Sequence, residues 1–183
     1  MVQTFILRKH ELPCLLVHLG FEGVACFDRL GALRRWSCVD RVEQALAVLS
    51  RATKIELYGQ GSSGIIAMDA QHKFFRLKIP SSFISDPHIQ FMSANSLGKK
   101  DVVVAISQSG TTSALVDSVN IVRKSGVKVI GIMPAGTPLA NICDYPLTIN
   151  VGDNNRLSKP NTSRIAYTAV IDVMTMGVAQ LKP

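Results

Sequence analysis

The sequence predicts an α/β protein, a three-layer α-β-α sandwich around a central parallel sheet of about five strands. Asp101–Ser107 and Lys128–Met133 are apolar at successive positions, as in central strands that are covered on both faces. Lys54–Tyr58 and Tyr145–Val151 are predicted as further strands. Turn and helix-start signals follow the strands, so that strands and helices alternate from residue 54 onward.

The predicted helices come from apolar spacing and from residues that begin helices. Asp86 and Thr137 are expected to be N-caps, because each is followed by a proline at the first helical position. The closing helix has apolar residues near helical spacing, at Ile165, Ala169, Val170, Val173 and Met176. The main predicted helices are Val39–Leu49, which is capped near Asp40, Ser63–Leu77, Asp86–Leu97 and Asn161–Leu181.

The length of 183 residues suits one domain with an N-terminal appendage. We expect an N-terminal segment at 1–36 and a ligand-binding domain at 37–183. Hydrophobic residues form 47% of the chain and charged residues 18%, which argues against wholesale disorder. The net charge of +7 favours anionic partners such as phosphorylated metabolites or nucleic acid.

The four cysteines form no CxxC pair, so the sequence predicts neither a zinc site nor a disulfide framework. A reducing cytoplasm is therefore the expected location. No apolar run approaches the length that a bilayer requires, and we expect no membrane association. No metal or other cofactor is predicted.

Two predicted strand ends are rich in glycine and hydroxyl side chains, namely Gly59–Gly64 (GQGSSG) and Ser107–Thr112 (SQSGTT). Ligands of open parallel sheets bind outside the carboxyl ends of strands. Glycine-rich turns that lead into helices present N–H groups to anions, so we expect both loops to hold a phosphate. The same residues also form turns and caps, and the GxGxxG spacing of the first loop leaves a dinucleotide site as a weaker alternative.

Several motifs together resemble one family. They are YGQGSSG (58–64), DAQHKFFRLKIP (69–80), DPHIQ (86–90), DVVVAISQSGTT (101–112) and TSRIAYTAVIDVM (162–174). They resemble the sugar isomerase (SIS) domain, and more closely the effector domain of RpiR-type transcriptional regulators, over residues 40 to 181. The DAQHKFFR stretch is similar to the hexose-catabolism repressor branch. The resemblance implies a flavodoxin-like SIS fold and, as effector, 2-keto-3-deoxy-6-phosphogluconate or a related phosphosugar.

The resemblance also implies the binding residues. Hydroxyls of both loops, supported by the second-loop amides, are expected to bind the phosphate of the sugar. The expected phosphosugar-binding residues are Ser62, Ser63, Ser107, Gln108, Ser109, Gly110, Thr111 and Thr112. Asp86, His88 and Lys159 are candidate contacts for the sugar end.

We expect a sensor of the phosphosugar, which acts as a homodimer or homotetramer whose subunit packing the ligand changes. The alternative is an aldose-ketose isomerase of phosphosugars that uses Asp86 or His88 as its general base. No glutamate stands beside the second loop in the sequence, which favours the sensor and predicts no catalytic residue.

Regulators of this type carry an N-terminal helix-turn-helix domain, and residues 1–36 are too few for one. This segment is expected to be a degenerate remnant of such a domain, because Pro13 interrupts the expected recognition helix. We therefore expect DNA binding only through a helix-turn-helix domain that this chain lacks. A truncated regulator, a separated effector module and a piece once fused to a sugar kinase would all give this picture.

Overall fold

The computed structural model describes residues 39–149 and 159–182 of the chain. The predicted N-terminal segment 1–36 lies outside the described residues. The described elements alternate between helix and strand along the chain. They are α1 (Val39–Ser50), β1 (Ile55–Tyr58), α2 (Gly61–Arg76), β2 (Ser81–Ile84), α3 (Pro87–Ala94), β3 (Val102–Ile106), α4 (Ser113–Lys124), β4 (Lys128–Met133), α5 (Pro138–Ile142), β5 (Tyr145–Thr148) and α6 (Lys159–Leu181).

The described strands form one parallel sheet with the order β2-β1-β3-β4-β5. This is the flavodoxin-like order, and it confirms the predicted parallel sheet of about five strands. In the sheet, β2 lies on one side of β1 and β3 lies on the other side. The order therefore reverses between β1 and β3, and their carboxyl ends border a crevice where ligands of this architecture bind.

Two buried apolar clusters, one on each face of the sheet, confirm the three predicted layers. On one face α1, α2 and α6 pack against strand residues such as Leu57 and Val104. On the other face α3, α4 and the region of α5 pack against residues such as Val103 and Val129. Every residue of β3 is buried, as its unbroken apolar run predicts. The sheet is thus a rigid frame for the loops at its carboxyl edge.

Both predicted proline-start helices begin as expected. Asp86 Oδ1 accepts hydrogen bonds from the N–H groups of His88 at 2.9 Å and Ile89 at 3.0 Å. Thr137 Oγ1 accepts a bond from the N–H of Ala140 at 3.4 Å. Asp40 lies in the first turn of α1, whose first residue is Val39.

The edge strand β2 is the element that the sequence pattern does not locate. Its residues, SSFI, are all half-buried, and two of the four are serines. The other edge strand, β5, ends at Thr148, earlier than its predicted end at Val151. In the described part of the chain, no helix is both long and apolar enough to cross a membrane.

An ion-pair network joins α2 to α6 and helps to fix α6 against the sheet. Lys73 Nζ lies 2.6 Å from Asp69 Oδ2 on its own helix and 2.5 Å from Asp172 Oδ1 on α6. Burial by itself would lower the pKa of Lys73, but the bonds to Asp172 and Asp69 outweigh it, and the pKa is raised. The ammonium group therefore stays charged and links the two helices.

Candidate functional site

The two serine-rich loops lie side by side at the switch point of the sheet. The first loop follows β1 and leads into α2, and the second follows β3 and leads into α4. Because β1 pairs directly with β3, their ends are neighbours although the sequence separates them widely. The predicted site is thus formed by adjacent elements of the fold.

Glycines set the shape of the first loop. A Cβ on Gly59 would lie 2.8 Å from the carbonyl oxygen of Ser63, so only glycine permits this approach of strand end and helix start. Gly61 has a φ of +54°, in the left-handed region that favours glycine. These two turns place Ser62 and Ser63 in the first turn of α2, facing the second loop.

Hydroxyl groups and backbone amides of the second loop bond to one another. Ser107 Oγ accepts from the Gly110 N–H at 2.9 Å, and Ser109 Oγ accepts from the Thr111 N–H at 3.3 Å. Ser109 Oγ also lies 3.4 Å from Ser107 Oγ and 3.5 Å from Thr112 Oγ1. Thr112 is the N-cap residue of α4, yet its side chain makes no capping bond. Three hydroxyls therefore cluster at the helix start, in a pattern suited to the oxygens of an anion.

Two hydrogen bonds join the first loop to the second, and both involve Gln108. Ser63 Oγ accepts from the Gln108 N–H at 3.1 Å, and Ser62 Oγ donates to Gln108 Oε1 at 2.7 Å. Ser63 and Ser107 are buried, whereas Ser109 and Thr111 are exposed. The arrangement thus has a buried supporting layer and an accessible rim.

In the described part of the chain, two of the three candidate sugar-end residues, Asp86 and His88, are not hydrogen-bonded to these loops. Asp86 is exposed, and the bonds of its carboxylate go to the start of α3. His88 is exposed on the first turn of the same helix. Lys159 is the first residue of α6, and its side chain lies outside the described part of the structure. Between residues 39 and 149, no hydrogen bond joins Asp86 or His88 to either serine loop.

Two further helices fix the second loop through contacts that the sequence pattern does not reveal. The buried Tyr167 hydroxyl on α6 donates to the Ser107 carbonyl oxygen at 3.2 Å. The Leu139 N–H on α5 donates to the Gly110 carbonyl oxygen at 3.1 Å. Burial raises the pKa of Tyr167, so its phenol keeps its proton and remains a donor. The sequence does hold one signal for the Tyr167 contact, namely a tyrosine within an apolar helix, because a buried tyrosine hydroxyl requires a hydrogen-bond partner.

Glu56 is the buried carboxylate of β1, and its oxygens are already bonded. It accepts from Lys54 Nζ at 2.6 Å, Tyr58 Oη at 2.9 Å and Ser93 Oγ at 2.7 Å. Burial, followed by the charge of Glu56, raises the pKa of Tyr58. These bonds hold α3 against the sheet, on the face that Val103 shares. Among the described residues, no cluster of three or more His, Cys, Asp or Glu could hold a metal ion.

Comparison with protein families identifies the domain. The SIS domain model matches residues 48–177. The chain belongs to the SIS domain family. This confirms the resemblance that the motifs indicate, and the paired loops of this SIS domain lie inside the matched region.

Curated relatives of the SIS domain include two kinds of larger protein. The chain is 39% identical over 147 residues to a "Bifunctional protein glk" of Burkholderia thailandensis, and this match covers 80% of the chain and 23% of that protein. It is 38% identical over 136 residues to the "HTH-type transcriptional regulator HexR" of Escherichia coli, covering 74% of the chain and 47% of the regulator. The chain thus spans less than half the length of these relatives.

Solved structures confirm the fold. The Vibrio vulnificus NanR protein complexed with ManNAc-6P has a TM-score of 0.76 at 18% identity, covering 92% of this chain and 67% of NanR. The sugar isomerase domain of an RpiR transcription factor from Sphaerobacter thermophilus has a TM-score of 0.73 at 16% identity, covering 94% and 92%. At such identities the likeness concerns the α/β architecture alone.

Proposed function

We propose that this SIS domain senses a phosphorylated sugar or sugar acid for a transcriptional regulator of carbohydrate catabolism and leaves the ligand unchanged. The observation that carries the proposal is the hydroxyl cluster of Ser107, Ser109 and Thr112 at the start of α4. Hydroxyls and N–H groups at a helix start bind phosphate without a metal. The relatives named HexR support a regulatory context.

The proposed effector is 2-keto-3-deoxy-6-phosphogluconate or a related phosphosugar. The phosphate is proposed to bind at the rim of the second loop, where Ser109 and Thr111 are accessible, with Ser62, Ser63 and Gln108 behind it. Asp86, His88 and Lys159 remain proposed contacts of the sugar end. The NanR protein supports the ligand class, because it is complexed with the sugar phosphate ManNAc-6P.

A change of subunit packing is the proposed output of the sensor. The ligand must contact one arrangement of a homodimer or homotetramer better than another, since equal contacts shift no population. Exposed large apolar side chains on α2 and α3 support an interface near the edge strand β2. They are Ile65, Met68 and Phe75 on α2, and Ile89, Phe91 and Met92 on α3. In this proposal, operator DNA is contacted by a helix-turn-helix module and not by the SIS domain.

The experiment is calorimetric titration with 2-keto-3-deoxy-6-phosphogluconate, glucose 6-phosphate and fructose 6-phosphate, each recovered afterwards for NMR. We expect selective binding and unchanged ligand. Exchange of a C–H proton with solvent would instead show an isomerase, the alternative function, with Asp86 or His88 as its base. If none of the three ligands binds, the phosphate-loop proposal is wrong.

Ser109→Ala tests the site itself. The substitution removes a hydroxyl from the cluster, and a hydrogen bond to a charged group contributes about 1.5–3 kcal/mol, so affinity should fall about 10- to 150-fold. Ser125→Ala is the matched control, because Ser125 follows α4 at the opposite end of that helix. Equal affinities of the Ser109 and Ser125 variants would place the phosphate elsewhere.

A further inference from the structure

The amino edge of the sheet, opposite the serine loops, carries the positive charge of the described chain. At this edge four helices end and strands β1 to β4 begin, in the segments 51–56, 76–81, 97–102 and 123–128. We call these four segments the basic edge. They hold nine Lys and Arg residues against two Asp and Glu residues, whereas the other described residues hold five against seven. The basic edge is therefore strongly positive, and the rest of the described domain is slightly negative.

The four segments of the basic edge lie side by side. They precede strands that are neighbours in the sheet in the order β2, β1, β3 and β4. The Thr53 N–H donates to the Lys100 carbonyl oxygen at 3.0 Å, which joins the segments before β1 and β3. A Cβ on Gly126 would lie 3.7 Å from Lys99 Cε, so the segments before β3 and β4 are also in contact. Because neighbouring strands lie about 4.8 Å apart, the row of cations extends over about 15 Å.

Most of these cations are available to a partner. Lys54 is paired with Glu56, and Lys128 is paired with Asp144. The other seven Lys and Arg residues of the basic edge are exposed, and none of them forms an ion pair with a described residue. Their mutual repulsion is therefore not balanced by carboxylates in the described part of the fold.

Helix ends explain only some of these charges. A cation is favourable in the last turn of a helix, near the negative end of the helix dipole. Arg76, Arg123 and Lys124 lie in such turns. Lys99 and Lys100 lie well beyond Ala94, the last residue of α3. The helix dipole falls off within the last turn, so it does not account for these two lysines.

Duplex DNA fits the basic edge better than a membrane or an acidic protein does. It carries one negative charge per about 1.7 Å of its axis, so a length of 15 Å presents about nine charges. Surfaces that bind lipid add large apolar side chains that enter the bilayer. The exposed large apolar side chains of the described chain all lie outside the four segments. A protein surface mixes charges of both signs, whereas the phosphate backbone is uniformly negative.

We propose that the basic edge binds the phosphate backbone of duplex DNA without reading its sequence. The inference goes beyond the proposed function and does not depend on a bound sugar phosphate, because the serine loops lie at the opposite edge of the sheet. Operator recognition stays with the helix-turn-helix module. The basic edge contacts phosphates outside the operator and attracts the domain to DNA by charge alone.

The test is fluorescence anisotropy with the full chain and two labelled duplexes of about 20 base pairs and unrelated sequence. Equal affinity for the two duplexes is expected, because phosphate contacts carry no sequence information. Affinity should fall steeply between about 50 and 200 mM salt. Each neutralised phosphate contributes about −0.9 to the slope of log affinity against log salt, so four to six contacts give a slope of about −4 to −5.

The double variant Lys99→Gln/Lys100→Gln tests the basic edge itself. At about 100 mM salt it should bind both duplexes about 10- to 100-fold more weakly, and its salt slope should be less steep by about 2. Arg41→Glu is the matched control, because it also lowers the net charge by two. Arg41 is exposed in the first turn of α1, at the end away from the basic edge. Charges farther away than about 10 Å are screened at this salt, so the control should lose less than about threefold.

A second double variant, Arg123→Gln/Lys124→Gln, should weaken DNA binding in the same way. Circular dichroism melting shows which variants are folded, and a loss in either folded variant that exceeds the loss in Arg41→Glu supports the proposal. Three results would overturn it. They are no DNA binding by the wild-type chain, equal losses in the control and in both double variants, and binding of polyglutamate or phosphatidylserine vesicles as tight as that of DNA. The sugar-phosphate titrations are unaffected by any of these results, so the proposed function and this inference can fail separately.

Discussion

Gly110→Ala perturbs the second loop at its tightest point. Gly110 has a φ of +65°, and an added Cβ would lie 2.3 Å from Thr137 Oγ1 and 2.5 Å from Thr137 Cβ. Thr137 cannot turn away freely, because its Oγ1 donates to the Pro134 carbonyl oxygen at 3.0 Å and accepts from the Ala140 N–H at 3.4 Å. The alanine must therefore displace the start of α5 or the loop.

The expected loss of stability in Gly110→Ala has two parts. The left-handed backbone costs an alanine about 1–2 kcal/mol, and displacing a packed neighbour costs about 1–3 kcal/mol, so the free energy of unfolding should fall by about 2–5 kcal/mol. For a chain of this length, each kcal/mol lowers the melting temperature by about 2–4 °C. Urea denaturation and calorimetry measure both quantities.

Gly136→Ala separates the two parts. Gly136 has a φ of +72°, but a Cβ there would meet no atom within 4 Å. This variant should lose only the backbone part of about 1–2 kcal/mol. The difference between the two variants then measures the contact with Thr137. If Gly110→Ala is no less stable than Gly136→Ala, the close approach of the loop to α5 does not constrain it.

Two further predictions concern buried groups near the sheet. Tyr167→Phe removes the bond to the Ser107 carbonyl oxygen, so the free energy of unfolding in urea should fall by about 1 kcal/mol; unchanged stability would contradict this. Burial, then the charge of Asp144, raises the pKa of the Cys143 thiol from 9.0 to about 12. The folded state holds this proton more tightly, so the stabilisation is complete below pH 9 and is lost as the pH rises toward 12. Urea titrations at several pH values give the free energy of unfolding as a function of pH. Between pH 9 and 12 this free energy should fall less steeply for Cys143→Ala than for the wild-type protein, and equal slopes would contradict the prediction.

The sequence locates those strands that are buried on both faces, because such strands consist of continuous apolar residues. All residues of β3 are buried, and so are all those of β4 after its first lysine, which requires the continuous apolar runs that predict them. The edge strand β2 is half-buried, and its serines resemble a loop in composition. Its place comes from pairing with β1, which is a property of the assembled sheet. The local sequence pattern therefore predicts the central strands of the sheet and does not predict the edge strand β2.

The closing helix α6 shows a second limit of the sequence pattern. The predicted apolar positions include Ile165 and Met176, which the structure leaves 58% and 36% exposed. The buried side instead includes Tyr167, Ile171 and Met174. Apolar residues lie all round this helix, so their spacing does not single out one face. Which face of α6 is buried depends on the helices that it packs against, namely α1 and α2.

The sequence is enough to name the residues of the two loops, but it does not show the hydrogen bonds between the loops. Glycine and hydroxyl composition identifies each loop locally, whereas the bond from the Gln108 N–H to Ser63 Oγ depends on β1 and β3 being neighbours. This bond changes the expected energetics. The N–H groups of Gln108, Gly110 and Thr111 already donate to serine oxygens within the loops.

A phosphate that takes these N–H groups therefore exchanges one hydrogen bond for another. The net gain per exchange is smaller than that of a new bond, although a charged acceptor strengthens each one. The serine oxygens that are released can in turn donate their own protons to the phosphate. Affinity then depends on the hydroxyls as much as on the helix start. Ser109→Ala is therefore the sharpest test of the proposed phosphate site, since Ser109 lies at the centre of the hydroxyl cluster and is exposed.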